Sequence, residues 1–374
     1  MDSYVARPDS LAELMAAVRR EPRIAVDTEA ASFHRYRDRI YLIQISTANR
    51  TALIDPLAVA DLSPVGAVLA DRGIEKTFHD ADYDLRVLDR DYGFRAARLF
   101  DTRIAAQLAG EPAIGLAALL EKYAGVKLAK EHQKADWSQR PLPPPMLAYA
   151  AEDTRHLLAL RDALERRLRE LGRLEWANEE FARLEALRWT GVAEGDTDGY
   201  LRVKGAKGLP PRALAAFREL HRWRETVAER DDKAPFRVIG NDSLLAISKA
   251  LPTTAGDLGK LKDVPASLAR RHGDALLDAV ARARALPETE LPRLERSARP
   301  PKDPAFDARV ERLKAVRNRA ASELGIDPGV LCGRTTLEAV ARAAPKDHAG
   351  LAQVGELRRW QSGVLGEAML EALR

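Results

Sequence analysis

Pro235 and Pro328 lie 93 residues apart in a chain of 374. The same spacing separates Gly240 from Gly333, Leu244 from Leu337, Pro252 from Pro345, Leu258 from Leu351 and Gly273 from Gly366. No gap is needed to keep the offset. Proline and glycine set turns and helix ends, so a constant offset at those positions marks a duplicated structural unit. The stretches "FRVIGNDSLLAISKALP" and "GVLCGRTTLEAVARAAP" carry the correspondence. The chain therefore ends in two copies of one small all-helical domain, over 208–285 and 301–374. Residues 286–300 link them, with prolines that stiffen the connection. Residues 191–207, rich in glycine and polar residues, read as a linker before the first copy. Residues 1–190 are left as a domain of their own.

That first domain has a mixed α/β pattern. "RIAVDTEA", "IYLIQIS" and "TALIDP" read as three strands in a row, rich in Ile, Leu and Val. "LSPVGAVLADRG" reads as a helix with Ser63 as N-cap, Pro64 at its first position and Gly73 beyond its end. "IEKTFHD" returns to a strand, and "YDLRVLDRDYG" is a short amphipathic helix with Leu85, Leu88 and Tyr92 on one side. "ARLFDT" is a fifth strand, with Asp101 or Thr102 placed to cap the helix "RIAAQLAG". From Gly115 onward only helices are expected. Prolines keep "KLAKEHQKADWSQRPLPPP" irregular. "PMLAYAAEDTRHLLALRDALERRLRELG" follows as one long helix, and "EWANEEFARLEALRW" as another.

Composition narrows the class. No apolar run approaches 18 residues, so no membrane span is expected. The opening "MDSYVARPDS" has neither the basic nor the apolar segment of a secretory signal. The single cysteine, Cys332, excludes an intramolecular disulfide and a cysteine-based zinc cluster. A reducing, cytoplasmic location is the expectation. Residues 1–190 carry a net charge of −2 and residues 191–374 one of +6. The second half is either where a polyanion would touch or simply a mildly basic, solvated surface, and charge alone favours the latter.

Two carboxylates, Asp27 and Glu29, stand two apart on the first predicted strand and so share one face. Asp84 falls just inside a helix. Tyr149 and Asp153, four apart, share a face of the long helix. Four acids converging on one cleft repel unless neutralised. The usual solution is a pair of divalent cations with oxygen ligands, Mg²⁺ or Mn²⁺, about 3.5–4 Å apart. Such ions hold a phosphodiester and activate a water. Each piece alone has an ordinary reading: a solvated edge strand, a helix-start charge, an amphipathic face. Their order and contexts together are what point to a site.

Those contexts resemble the ribonuclease D family of DEDD-type 3′→5′ exonucleases, in the subgroup with tyrosine in the last motif. "VDTEA" looks like the first motif, "FHDADYDLRVL" the second and "YAAEDTRHLL" the third. "YLIQIS", "LFDTRIAAQL" and "KADWSQRPLPPPMLAYA" resemble family stretches between them. The likeness covers roughly residues 20–190, and the two repeats resemble HRDC domains, helical nucleic-acid-binding modules. It implies a ribonuclease H-like mixed-sheet exonuclease domain followed by two small helical domains, thus α/β plus all-α. It also implies hydrolysis of RNA 3′ ends to nucleoside 5′-monophosphates, notably on tRNA precursors. Asp27, Glu29, Asp84 and Asp153 would be the metal ligands, and Tyr149 would position the attacking water.

Many relatives carry an aromatic residue after the first-motif glutamate, where this chain has Ala30. Phe33 and His34 of "SFHRY" are the candidate stacking surface in its place. Gln44 either faces the terminal nucleotide or is a satisfied polar group in the sheet. His79 either contacts the 3′ ribose or is a hydrogen-bonded structural histidine. Lys134, Trp137 and Arg140 form a basic loop with an aromatic, which suits single-strand contact; alternatively, Trp137 anchors the loop to the core. Arg222, Arg224, Arg317 and Arg319 are either phosphate contacts or solvated. Two other readings stay open: an exonuclease acting mainly on DNA, and a non-catalytic nucleic-acid-binding protein. No obligate protein partner is evident.

Overall fold

The computed structural model describes residues 3–129, 131–191, 198–294 and 303–374. Parts of both segments read as linkers, 192–197 and 295–300, lie outside the described residues. The chain opens with β1 (Ser3–Val5) and α1 (Pro8–Val18). Neither was expected from the sequence; three residues carry no readable alternation. Next come β2 (Arg23–Ala30), β3 (Ile40–Ser46), β4 (Thr51–Ile54), α2 (Ser63–Ala70), β5 (Glu75–Phe78), α3 (Asp82–Tyr92) and β6 (Leu99–Asp101). Then follow α4 (Thr102–Ala109), α5 (Leu116–Ala124), α6 (Pro144–Arg155), α7 (Leu157–Glu170) and α8 (Leu174–Glu185).

The six strands form one sheet in the order β1-β4-β3-β2-β5-β6. β2 runs antiparallel to β3 and parallel to β5, with an irregularity in its register between Glu29 and Ala30. All seven residues of β3 are buried, as befits a strand covered on both faces. Asp101 caps α4 as expected, accepting the N–H of Ile104 at 2.9 Å and, through its other oxygen, that of Ala81 at 2.7 Å. Ser63 does not cap α2. Leu62 holds the N-cap position, and Asp61 accepts the Ser63 N–H at 2.8 Å. The single long helix expected near 145–172 is instead two, α6 and α7, broken at His156, where φ is −102° and ψ 1°.

The repeats match element for element. The first is α9 (Pro211–Arg230), α10 (Pro235–Val238), α11 (Asn241–Ala250), α12 (Ala255–Gly259) and α13 (Ala266–Ala285). The second is α14 (Pro304–Leu324), α15 (Pro328–Leu331), α16 (Arg334–Ala343), α17 (His348–Ala352) and α18 (Arg359–Leu373). Each element of the second starts 93 residues after its counterpart. Detail repeats as well: Ser243 donates to the Asp263 carbonyl, and Thr336 to the Glu356 carbonyl. Arg224 is buried and bonds Asn241 at 2.7 Å, while its counterpart Arg317 bonds the Cys332 carbonyl at 3.2 Å. These two arginines therefore brace their own repeats.

The chain divides into two compact units. One comprises Met1–Ala30, Ile40–Trp189 and Pro301–Arg374; the other comprises Ala31–Arg39 and Thr190–Pro300. In the first unit the second repeat and the sheet share one apolar core, in which Leu313, Leu337 and Met369 cluster with Ile24, Val26 and Leu160. Trp176 of α8 stacks on Trp360 of α18 with ring centres 5.0 Å apart and planes at 17°. Glu179 accepts the N–H groups of Arg359 and Trp360 at 2.9 and 3.1 Å, a carboxylate well placed at a helix start. Arg173 donates to the carbonyls of Leu108 and Leu324 at 2.9 and 2.7 Å. Gly110, at φ +79°, lies so close that a Cβ there would sit 2.4 Å from the Gly325 oxygen.

The second unit has its own core around Phe217, Leu244, Ile247, Leu276 and Val280, with Tyr200 and Ala206 buried in it. Residues 31–39, which separate β2 from β3 in sequence, belong to this unit. The Ala234 N–H donates to the His34 carbonyl at 3.2 Å, Arg237 donates to the Phe33 carbonyl, and the Tyr36 N–H donates to Asp232 at 3.2 Å.

The Trp360 stack holds the second repeat to α8, so Trp360→Ala should lower the unfolding free energy of the full chain by about 3 kcal/mol. Ser267→Ala, at the equivalent position of the first repeat, should be near neutral. Equal denaturation midpoints for both variants would show that the stacked pair carries no weight.

Candidate active site

β2 delivers Asp27 and Glu29 to a cavity of about 530 Å³, lined also by His79, Gln133, Tyr149, Asp153 and Leu157. Asp153 reaches it from α6, whose seat on the sheet is fixed by a buried hydroxyl chain: Ser46 meets Thr154 at 2.7 Å and Thr51 at 2.8 Å. Carboxylate oxygens of Asp27, Glu29 and Asp153 all lie within 4.8 Å of one another. Asp84, in the first turn of α3, is buried and accepts a hydrogen bond from the Thr28 hydroxyl. It lies outside that tight trio but close enough to Asp27 for their charges to interact.

The electrostatics follow from crowding acids away from water. Burial pushes the Asp27 carboxyl up to about 8, with the charge of Asp153 adding to the effect. Glu29 is held well above the usual carboxylate range by burial, then by Asp27, Asp153 and Asp84. Asp84 is likewise well above it, through burial and then Asp27, against the opposing pull of the Thr28 hydrogen bond. Asp153 rises to about 7 through burial, moderated by the Tyr149 hydroxyl. The Tyr149 phenol is itself pushed up by burial and by the charges of Asp153, Glu29 and Asp27. A hard divalent cation fits this donor set: it takes carboxylate oxygens, and its charge offsets the repulsion that otherwise favours protonation.

The remaining expected residues have distinct positions. Gln44 is fully buried, faces Asp27 across the β2–β3 ladder, and points its amide nitrogen at Glu29, 3.4 Å away. His79 bonds Thr102 through Nδ1 at 2.9 Å, and burial lowers its pKa to about 4, so the ring is neutral near pH 7. Trp137 is 1% exposed and packs beside Tyr149, with ring centres 6.2 Å apart. Arg140 spends its guanidinium on Asp55, at 2.7 and 2.8 Å, and on the carbonyls of Tyr41, Trp137 and Gln139. It braces the loop on which it sits. Lys134 is exposed on the same loop. Phe33 and His34 belong to the second compact unit, where Phe33 meets Phe236 edge to face.

Residues not singled out in the sequence also shape the site. Thr28 positions Asp84. His132 meets the Tyr149 ring edge-on at 5.8 Å, and Gln133 lines the cavity. Both lie in the polar run "KEHQK" that precedes Trp137, and that proximity was the only available signal.

Comparison with known proteins identifies the domains. Residues 3–169 match a 3′–5′ exonuclease family, and residues 213–280 and 306–373 each match the HRDC domain family. Ribonuclease D of Pseudomonas paraeruginosa is 32% identical over 97% of this chain and 95% of its own. The crystal structure of Escherichia coli RNase D, an exoribonuclease involved in structured RNA processing, is similar with a TM-score of 0.72. It is 30% identical, over 99% of this chain and 98% of that one. A protein from Bifidobacterium adolescentis is similar with a TM-score of 0.83 at 25% identity, over 99% and 96% of the two chains. An exonuclease domain bearing an acidic cluster, followed by paired HRDC domains and matched almost end to end, places this chain in the ribonuclease D family.

Proposed function

We propose that this protein is a 3′→5′ exoribonuclease that removes single nucleotides from RNA 3′ ends, with structured precursors such as tRNA 3′ ends as its substrates. The observation that carries the reading is the trio of carboxylates within 4.8 Å of one another beside the Tyr149 hydroxyl. A cavity of about 530 Å³ suits the end of a single strand, a ligand of small-molecule size.

In this reading Asp27, Glu29, Asp84 and Asp153 hold two divalent ions, Mg²⁺ or Mn²⁺. When bound, such ions polarise the scissile phosphate, make water a better nucleophile and offset charge on the leaving oxygen. Tyr149 keeps its proton near pH 7, because its pKa is raised. Its hydroxyl therefore orients water or phosphate by hydrogen bonding and does not act as a base. Neutral His79, with Nδ1 committed to Thr102, leaves Nε2 for a ribose hydroxyl. Trp137 and the bracing of its loop by Arg140 keep the wall beside Tyr149 in place.

A time course on a 3′-extended tRNA precursor should release nucleoside 5′-monophosphates in Mg²⁺ and none with chelator. Turnover that persists in chelator, or a strong preference for a matched DNA oligonucleotide, would overturn the reading. Loss of an outer-shell partner typically costs 10–100-fold, so Asp153→Asn should cost more than about a hundredfold in turnover. With chelator present the same variant should melt higher than wild type, because one repelling charge is gone. Tyr149→Phe should lower turnover more than RNA affinity; equal losses would indicate a packing role.

The raised carboxyls also set a pH dependence. In metal-free protein Asp27 and Asp153 titrate near 8 and 7, against about 3.9 for an unfolded aspartate. The folded state therefore binds more protons than the unfolded one between about pH 4 and pH 8, and stability falls as pH rises through that window. Mg²⁺ should raise the melting temperature more at pH 8.5 than at pH 6. A shift independent of pH would show that these groups are not the ones the ion meets.

A further inference from the structure

β3 lies inside the sheet, between β4 and β2. It reads Ile-Tyr-Leu-Ile-Gln-Ile-Ser, and every residue in it is buried. An amide in such a strand costs free energy unless its polar atoms are used, and a leucine would fill the place without that cost. Side chains alternate across a sheet, so Leu42, Gln44 and Ser46 share one face. Gln44 stands opposite Asp27 and Leu42 opposite Glu29, which makes it the face that carries both acids. Ser46, at the end of the row, meets Thr154 of α6. The row that seats α6 thus also places Gln44 among the carboxylates.

The two ends of the amide have different surroundings. Nε2 lies 3.4 Å from a Glu29 carboxylate oxygen. Glu29 is the diagonal neighbour of Gln44 across the ladder, a span that a long side chain covers. Turned over, the amide would set its oxygen against that carboxylate, so the nitrogen is the end that belongs there. Oε1 is buried and has no hydrogen-bond partner among the described residues. Buried acceptors are almost always paired, and an unpaired one is destabilising. The acids beside it, as anions, only accept. A hard divalent ion such as Mg²⁺ keeps several of its waters, and a water of that kind is a donor suited to Oε1.

We propose that Gln44 is a positioning residue for the metal centre: its amide nitrogen orients Glu29, and its amide oxygen accepts from water that a divalent ion brings into the site. Neither role considered from the sequence describes it. A fully buried side chain offers no face to a terminal nucleotide, and its oxygen is not satisfied within the sheet. Groups that orient a metal's ligands from behind are worth about 10–100-fold in metal affinity. The proposal rests on the metal-holding reading of the carboxylates and not on the choice of RNA as substrate.

The test titrates Mg²⁺ into the metal-free full chain by calorimetry and follows turnover of an oligoribonucleotide against Mg²⁺ concentration. Gln44→Met nearly keeps the volume and removes both polar atoms. In chelator it should melt at or above the wild-type temperature, because an unpaired buried acceptor is gone. Its Mg²⁺ affinity should fall by roughly 10–100-fold, and its activation curve should move to higher Mg²⁺ by the same factor. At saturating Mg²⁺ its KM for RNA should equal that of wild type. Gln44→Asn, which keeps the amide but draws it back from Glu29 by one methylene, should also lose Mg²⁺ affinity. Leu42→Met, a packing change on the same face, should not. A folded Gln44→Met with wild-type Mg²⁺ affinity would overturn the proposal. So would failure of both Gln44→Met and Gln44→Asn to fold, since the amide would then serve the core. A wild type that binds no Mg²⁺ would defeat the metal-holding reading and this proposal with it. The expected difference in Mg²⁺ affinity, in a protein that hydrolyses no RNA, would support the role of Gln44 and defeat the exoribonuclease reading instead.

Discussion

Withdrawal of four neighbouring carboxylates from water, with repulsion between neighbours added to it, is the constraint on which the exonuclease domain turns. Left to itself, such a cluster would take up protons or spread apart. The scaffold prevents the second outcome. Asp27 and Glu29 are fixed by a strand paired on both sides, Asp84 by the Thr28 hydroxyl, and Asp153 by a helix keyed to the sheet through Ser46 and Thr154. What remains free to vary is protonation, and the raised carboxyls record it. Such a donor set fits a divalent cation, whose charge would offset the cost of ionising buried carboxyls.

The duplicated helical module shows how little change redirects a surface. Its backbone is kept so closely that even the residue ending the third helix has positive φ in both copies, Leu251 at 49° and Ala344 at 41°. Yet one copy contributes a stacked tryptophan and a core shared with the sheet, while the other folds around its own core. The difference lies in a handful of side chains on one face.

The acids and the tyrosine were legible because they come in order, each in a context that also predicts its element. The duplication was legible because glycine and proline hold a constant offset. Other features had no local signal. β1 exists only through its pairing with β4, some fifty residues away. The break at His156 is marked by neither proline nor glycine, so the periodicity runs across it unbroken. Arg140 looked like a phosphate ligand because it is basic and lies in a loop; its partner Asp55 is 85 residues away. Phe33 and His34 were singled out from their nearness in sequence to Glu29, and nothing in the sequence signals that their carbonyls accept from donors about two hundred residues further on.

That last pairing has a consequence for the order in which the chain matures. The segment 31–39 sits between two central strands, and its Phe33 carbonyl awaits a donor 204 residues downstream. A ribosome making this protein releases the loop long before its partner exists. The hydrogen bonds from Arg237 and Ala234 to this segment therefore cannot form until the first repeat has been synthesised. Each compact unit is thus woven from separated stretches of chain, and a single cut anywhere between residues 31 and 300 leaves neither of them whole.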